Sequence, residues 1–379
     1  MPTIREIAEQ CGVSVATVSN ILNQKPGAGK KTRELVLAKV RELDYHPNLA
    51  ARNLKTRSSR SIGVIVEDMT VFCVPEIVDG ITQCCQENGY QVLLTNLRLY
   101  KRYHDSYYSG EDFFPEVHDE IGELTAKQAE GIIYVAAHER HIHCIPDKLS
   151  VPVVMAYGYT DNPAVPSVVV DEEDGARRIV QYLISQGHRS IGLICGDWNS
   201  IHTQGRLTGY QRALFENRLL FDPSLVCAGD WTREAGSSHT KRLLDKGVTA
   251  IFAMSDIIAG GVFDYLEQNH IAAGKDIAVA GYDDRELASY LRPPLTTMRI
   301  PLHDIGYTAS VLALEAIGEE RPGHSLCQTA EKKTGKNENT PGDESSSAQD
   351  LQQNRDRIFR QKCSLIIRSS AMSLPCAGT

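Results

Sequence analysis

Ile62-Gly63-Val64-Ile65-Val66 is an unbroken apolar run, followed by an amphipathic stretch from Pro75 to Asn88 and then by Gln91-Val92-Leu93-Leu94. A strand with no polar alternation must be covered on both faces, so a strand, a helix and a second such strand in sequence predict a parallel sheet. The same grammar continues with predicted strands over Gly131–Val135, Val151–Met155 and Ser167–Val170, and helices over Glu116–Gln128 and Asp174–Gln186. A second set then begins. Its strands are expected over Ser190–Cys195, Leu225–Ala228, Thr249–Ala253, Asp276–Gly281 and Thr296–Arg299. Helices are expected between and after them over Arg206–Asn217, Glu234–Lys246, Ile257–Asn269 and His303–Gly318. Two doubly wound parallel-sheet α/β lobes follow. Two stretches interrupt the pattern. Tyr100–Phe114, rich in Tyr and charge, reads as an extended connection. Gly323–Arg357 has almost no apolar residues and reads as a disordered insertion, after which Cys363-Ser364-Leu365-Ile366-Ile367 returns as a final strand.

Upstream of the first strand the period changes. From Ile4 to Leu43 apolar residues recur at helical spacing, broken at Gly12-Val13 and over Lys25–Gly29, which makes three short helices. Ile4, Ile7 and Ala8 form one inner face, Val18, Ile21 and Leu22 the next, and Leu35, Val36, Val40 and Leu43 the third, enough to close one small core. Ser14 is a natural N-cap for the second helix. A further segment, Asn48 to Lys55, would make a helix of roughly two turns, too short to be stable alone in water.

Charge separates these two regions. Residues 1–60 hold eleven Lys and Arg against five Asp and Glu, so this end carries six net positive charges; with −8 for the whole chain, the remainder carries −14. A basic module on an acidic body suits a protein that meets phosphates at one end. A helix-turn-helix places its second helix in the major groove. Here that helix can project Val15, Ala16 and Asn20 together toward base edges, with Ser14, Ser19 and Asn23 reaching phosphates. A generic three-helix interaction module with a solvated polar face remains the alternative on pattern alone.

Other classes find little support. Hydrophobic residues are 42% and charged residues 23% of the 379, ordinary values for a folded soluble chain of two or three domains. The start, Met1-Pro2-Thr3-Ile4-Arg5-Glu6, has no apolar signal core, and no run of about 18 apolar residues follows, so a cytoplasmic protein with no membrane partner is expected. The ten cysteines lack CxxC spacing and are expected as reduced thiols. His138, His141, His143 and Cys144 match no zinc signature, so no metal site is expected. Gly29-Lys30 lacks the rest of a phosphate loop, and no GxGxxG, GxSxG or HExxH occurs. Neither catalytic residues nor a cofactor is expected.

The run Thr3-Ile4-Arg5-Glu6-Ile7-Ala8, followed by Gly12-Val13-Ser14-Val15-Ala16-Thr17-Val18-Ser19 and Asn23, resembles the DNA-binding domain of the lactose/galactose-repressor (LacI/GalR) family. The likeness continues through Lys31-Thr32-Arg33, Tyr45, Pro47-Asn48, Ala51-Arg52 and Leu54-Lys55. It runs on from Ser61 to about Gly318 and resumes at Leu365–Ser369; only Tyr100–Phe114 and Gly323–Arg357 depart from it. It implies a homodimeric repressor on palindromic operator DNA, with a helix-turn-helix domain over 1–45, a hinge helix and linker over 46–60, and a two-lobed, periplasmic-binding-protein-like effector domain over 61–379. No heptad repeat follows Ser369, so dimers are expected rather than tetramers. By the resemblance, Leu54 wedges into the minor groove at the operator centre, with Asn48, Ala51 and Lys55 touching that groove or its backbone. The motifs Arg206-Leu207-Thr208-Gly209-Tyr210 and Gly281-Tyr282-Asp283-Asp284 resemble those whose Arg and first Asp hold effector hydroxyls. Trp231 matches a ring that packs on the ligand, and Asp68, Phe72, Tyr157, Ser255 and Asp256 fall at other cleft positions. A small-molecule effector, a mono- or disaccharide, is the implied ligand.

Overall fold

The computed structural model describes residues 2–22, 25–45, 58–108, 110–320 and 357–371. Its chain divides into two units, Met1–Ser59 and Arg60–Thr379.

In the first unit α1 (Ile4–Gln10) opens with a capping box. Thr3 Oγ1 accepts from the Glu6 N–H at 3.3 Å, and the Glu6 carboxylate accepts from the Thr3 N–H at 3.0 Å. The chain then turns at Gly12, whose φ of +63° is comfortable only for glycine. Ser14 caps α2 (Val15–Leu22) as expected, its hydroxyl accepting from the Thr17 N–H at 3.1 Å. After α3 (Lys30–Glu42) the core closes over Ile7, Ala8, Cys11, Val18, Ile21 and Val36, with Ile4, Leu22, Val40 and Leu43 against it. Leu35 corrects the expected inner face, being 50% exposed. The buried stripe is Val36, Val40 and Leu43 at i, i+4 and i+7, and one residue off that stripe rotates a side chain by roughly 100°. Replacing Ser14 by Ala should destabilise this unit by about 1 kcal/mol, read as a lower midpoint of its calorimetric transition.

The second unit begins with β1 (Ser61–Val66), α4 (Val74–Glu87), β2 (Gln91–Asn96), α5 (Leu99–Tyr103), α6 (Phe114–Ala126), β3 (Gly131–Val135), β4 (Val153–Ala156) and β5 (Ser167–Val170). These form the first lobe. The second lobe follows with α7 (Glu172–Ser185), β6 (Ile191–Ile194), α8 (Ile201–Glu216), β7 (Val226–Cys227), α9 (Arg233–Asp245), β8 (Ala250–Ala253), α10 (Asp256–Gln268), β9 (Ala278–Asp283), α11 (Glu286–Tyr290) and β10 (Thr296–Arg299). The chain then crosses back. Helix α12 (Leu302–Glu320) packs on α4 so closely that a Cβ on Gly80 would lie 2.0 Å from the His303 carbonyl oxygen. Strand β11 (Ile358–Gln361) pairs in parallel with β5, and β12 (Ser364–Ile366) antiparallel with β10 in the other lobe. The sheets are thus ordered β11-β5-β4-β3-β1-β2 and β12-β10-β9-β8-β6-β7.

Both doubly wound lobes match expectation, and the strand over 363–367 is present as β12. Two readings need correction. Tyr100–Phe114 is helical rather than extended: α5 is followed by a 3-10 turn over His104–Tyr108 before α6. Leu99 and Tyr107 are buried and anchor it, which the surrounding Ser, Gly and charge conceal in the sequence. Strand β11 was not foreseen, because Ile358-Phe359-Arg360-Gln361 is a short edge strand with only partial burial. The expected insertion over 323–357 lies outside the described residues except Arg357, whose carbonyl accepts from the Ser167 N–H at 3.0 Å. The hinge helix, 48–55, also lies outside them. Among the described residues no helix is long and apolar enough to cross a membrane.

Candidate functional site

On the first unit, burial of Val18 and Ile21 turns the opposite face of α2 outward. Ser14, Val15, Ala16 and Asn20 are exposed on it, and Ser19 is half-buried. Arg33 braces the preceding loop, its guanidinium donating to the Lys25 carbonyl at 2.9 Å. Two small apolar side chains beside an amide leave a helix free to approach a groove closely, with a donor and acceptor to offer. Asn23, Asn48, Ala51, Leu54 and Lys55 lie outside the described residues.

On the second unit the candidate residues follow the carboxyl ends of strands, where ligands bind in open parallel sheets. Asp68 and Phe72 come after β1, Tyr157 after β4, Trp231 after β7, and Ser255 and Asp256 after β8. Arg206 lies on α8 and Asp283 ends β9. The centre of the cluster is Arg206, which is buried. Its Nε and Nη2 donate to the two oxygens of Glu172 at 2.7 and 2.9 Å, and its Nη1 donates to the Met254 carbonyl. Asp283 Oδ1 lies 3.5 Å from Nη1, and the guanidinium stacks over Tyr282 at 3.7 Å and stands 5.8 Å from the Trp231 ring centre. His202 Nδ1 lies 2.6 Å from Glu172 Oε1. Its ring meets Trp231 edge-on at 6.2 Å and Tyr157 of the first lobe at 5.9 Å.

Glu172, His202 and Tyr282 were missed by sequence reasoning. A faint signal existed: His202 stands four residues before Arg206 and so shares its helix face, while Glu172 lies in the acidic first turn of α7. Their electrostatics form a unit. Burial raises the Glu172 carboxyl, but Arg206 and His202 outweigh it and hold the group well below the usual carboxylate range. Burial opposes a charged His202, yet the bond to Glu172 prevails and its pKa is raised. Asp283 is pushed up to about 6 by burial, which Arg206 offsets only in part.

The other candidates divide by role. Asp256 is raised by burial and then by the charge of Asp283; it accepts from Thr297 Oγ1 at 2.6 Å and from the Arg285 N–H at 2.7 Å. Ser255 caps α10, accepting from the Ile258 N–H at 3.2 Å. Asp68 accepts from the Thr70 N–H and hydroxyl at 3.0 and 2.7 Å and from the Lys101 N–H at 3.0 Å. Phe72 carries the Arg285 guanidinium over its ring at 4.4 Å, a second contact between lobes. Asp284, beside Asp283, is clamped by Arg299 and Arg368 at 2.6 and 2.8 Å. The cluster can therefore offer Asp283 as an acceptor, His202 as a donor and Trp231 as an apolar face. Among the described residues no group of three or more His, Cys, Asp or Glu is placed to hold a metal ion, and His141 and His143 pair instead with Asp161 at 3.7 and 3.1 Å.

Glu139 is a further buried carboxyl in the first lobe. It accepts from the Tyr159 hydroxyl at 3.0 Å and the Val170 N–H at 3.2 Å, and burial pushes its pKa up to about 7. Folded protein therefore keeps a proton there that the unfolded chain loses near 4.5. The group is harmless below that pH, and its ionisation destabilises the fold increasingly as pH rises toward about 7. Glu139→Gln can keep both contacts without the charge. Urea unfolding across this range should show the variant gaining on the parent by up to roughly 3 kcal/mol, and a difference that does not change with pH would contradict the assignment.

The family description "Bacterial regulatory proteins, lacI family" matches residues 3–48, and "Periplasmic binding protein-like domain" matches residues 180–332. Catabolite control protein A of Priestia megaterium is 31% identical over 331 residues, covering 86% of this chain and 96% of that protein. The HTH-type transcriptional repressor PurR of Vibrio campbellii is 31% identical over 325 residues, covering 84% and 93%. These relatives are transcriptional regulators, not enzymes. Among solved structures, the Lac repressor dimer bound to operator and the anti-inducer ONPF aligns with a TM-score of 0.68 at 24% identity, covering 98% of this chain and 99% of that one. The CelR–cellobiose complex aligns at 0.57 and 25%, covering 98% and 100%. With a capped helix-turn-helix, two doubly wound lobes and this similarity along most of its length, the chain belongs to the LacI family of bacterial regulatory proteins.

Proposed function

We propose that this protein is a cytoplasmic repressor that binds a palindromic operator as a homodimer and is controlled by a sugar, a mono- or disaccharide, held between its two lobes. The observation that carries the sugar reading is the buried cluster of Arg206, Glu172, His202 and Asp283 beside Trp231. A fixed carboxylate and imidazole suit adjacent hydroxyls, and an indole face suits the apolar side of a pyranose. Because Glu172 already occupies the Arg206 fork, Arg206 orders the site and Asp283 and His202 face the ligand. The exposed face of α2, with Ser14, Val15, Ala16, Ser19 and Asn20, is assigned to the major groove. Asn23 is assigned to phosphate, and Asn48, Ala51, Leu54 and Lys55 to the minor groove. The division into 1–45, 46–60 and 61–379 follows from these roles.

A gel-shift assay on the gene's own upstream DNA, with salt varied, tests the first half: phosphate neutralisation predicts a steep fall in affinity with salt. Isothermal titration against monosaccharides, disaccharides and a purine tests the second. Heat only with the purine would sink the sugar reading. Asp283→Ala should lose the response of operator binding to the effector while keeping the operator affinity of the ligand-free parent. A variant that responds like the parent would remove Asp283 from the site.

A further inference from the structure

The helical segment 99–108 follows β2 and meets Asp68 through the Lys101 N–H. Its underside is locked. Glu67 is buried and accepts from the hydroxyls of Tyr107 and Tyr134, from the Ala137 N–H at 2.8 Å and from both Nη1 and Nη2 of Arg140 at 2.9 Å. Tyr107 in turn lies under the Arg140 guanidinium at 4.0 Å. Removing either charge would strand the other in the interior, so this base is rigid. Its upper side presents rings. Tyr100, Tyr108 and His138 lie in mutual contact, with centroids 5.3 to 6.5 Å apart. Tyr100 and Tyr108 nevertheless leave 37% and 48% of their surface exposed. One contact ties this group to a candidate cleft residue: Lys101, next to Tyr100, donates its N–H to Asp68 at 3.0 Å. Burial keeps the His138 imidazole neutral; its Nδ1 lies 3.3 Å from the Tyr108 hydroxyl, so a ligand hydroxyl would meet the ring through its other nitrogen.

We infer that Tyr100, Tyr108 and His138 form a second saccharide subsite, so that the effector is a disaccharide whose first ring lies at Trp231 and Asp283 and whose second stacks on the two tyrosines. This rests on the sugar reading of the cleft and narrows it. A pyranose has an apolar face of C–H bonds that an aromatic ring can cover, and its hydroxyl rim matches a neutral imidazole and the phenol groups. A rigid platform spends little ordering entropy on the ligand.

The test uses the full-length parent and the Tyr100→Ala/Tyr108→Ala variant, titrated calorimetrically with glucose, galactose, cellobiose, maltose and lactose. The parent should bind at least one of these disaccharides roughly tenfold or more tighter than either monosaccharide, and the variant should lose that margin while its monosaccharide affinity stays the same. Both tyrosines are partly exposed, so the variant should melt with the parent; if it does not, Tyr108→Ala alone serves for the same comparison. Equal affinity for one ring and two in the parent, or a margin that survives in the variant, overturns this inference alone. No binding of any of the five sugars to the parent overturns the sugar reading and this inference with it.

Discussion

Arg206→Ala will destabilise the second unit by roughly 3–5 kcal/mol and abolish the response to effector. The size follows from what the substitution leaves behind. Glu172 is buried and gives both oxygens to the Arg206 fork, so the variant strands a carboxylate that keeps, among the described residues, His202 as its hydrogen-bond partner. The loss should depend on pH in a definite direction. In the parent, a depressed Glu172 contributes stability above its unfolded pKa near 4.5 that is lost only in strong acid. In the variant the same burial raises the group, so its penalty applies above that pH and fades below it. The gap between parent and variant should therefore be widest near neutrality and narrow in acid. Adding Glu172→Gln to the variant should recover much of the stability without restoring the response. Urea denaturation of the parent, the single variants Arg206→Ala and Glu172→Gln and the double variant as a double-mutant cycle measures this, and an Arg206→Ala protein as stable as the parent at neutral pH would refute the pairing as the organiser of the site.

Ala16→Glu should lower specific operator affinity at least a hundredfold, roughly 3 kcal/mol, with no comparable loss of stability. Ala16 is exposed on α2, between exposed Val15 and the half-buried Ser19, so a longer side chain meets no protein. On DNA it would hold the helix away from the base edges and bring a carboxylate toward a polyanion. Leu54→Ala is the instructive companion. A lost minor-groove wedge should weaken specific binding by roughly 1–3 kcal/mol and reduce bending, yet leave weak, salt-sensitive binding and sugar affinity intact. Gel shifts on operator and scrambled duplexes measure both. If Ala16→Glu binds operator like the parent, α2 is not the reading helix.

What could be read from the sequence follows from how far each feature depends on local pattern. The five-residue apolar run at Ile62–Val66 is buried throughout, and a strand covered on both faces announces itself without knowledge of its partners. Ser14 and Gly12 are equally local, since a cap and a left-handed turn need only their own neighbours. Strand β11 is the opposite case. Ile358-Phe359-Arg360-Gln361 becomes a strand because β5 offers an unpaired edge, and that edge is 191 residues away in register, Ile358 against Ser167. The Arg206–Glu172 pair shows the same limit in the site. Each residue type was visible, but their separation in sequence hides a bidentate contact that only the packing of α7 on α8 creates. Leu35 and Tyr107 went wrong for a smaller reason: an apolar residue beside a stripe and a tyrosine among loop formers are ambiguous until something packs on them.

The crossing back of α12 and β11 into the first lobe also bears on how the protein is made. The first lobe's sheet lacks its edge strand, and α4 lacks the helix that covers Gly80, until residues 302–361 have left the ribosome. During all of that time an unpaired β5 edge and an uncovered apolar helix face are open to other chains. The second lobe waits on β12 in the same way. Neither lobe is a contiguous segment of the gene, so a stop placed after β10 would yield an aggregation-prone fragment rather than a half-sized sensor. Contacts between residues so far apart in sequence form slowly, which lengthens the time for which both sheet edges stay open.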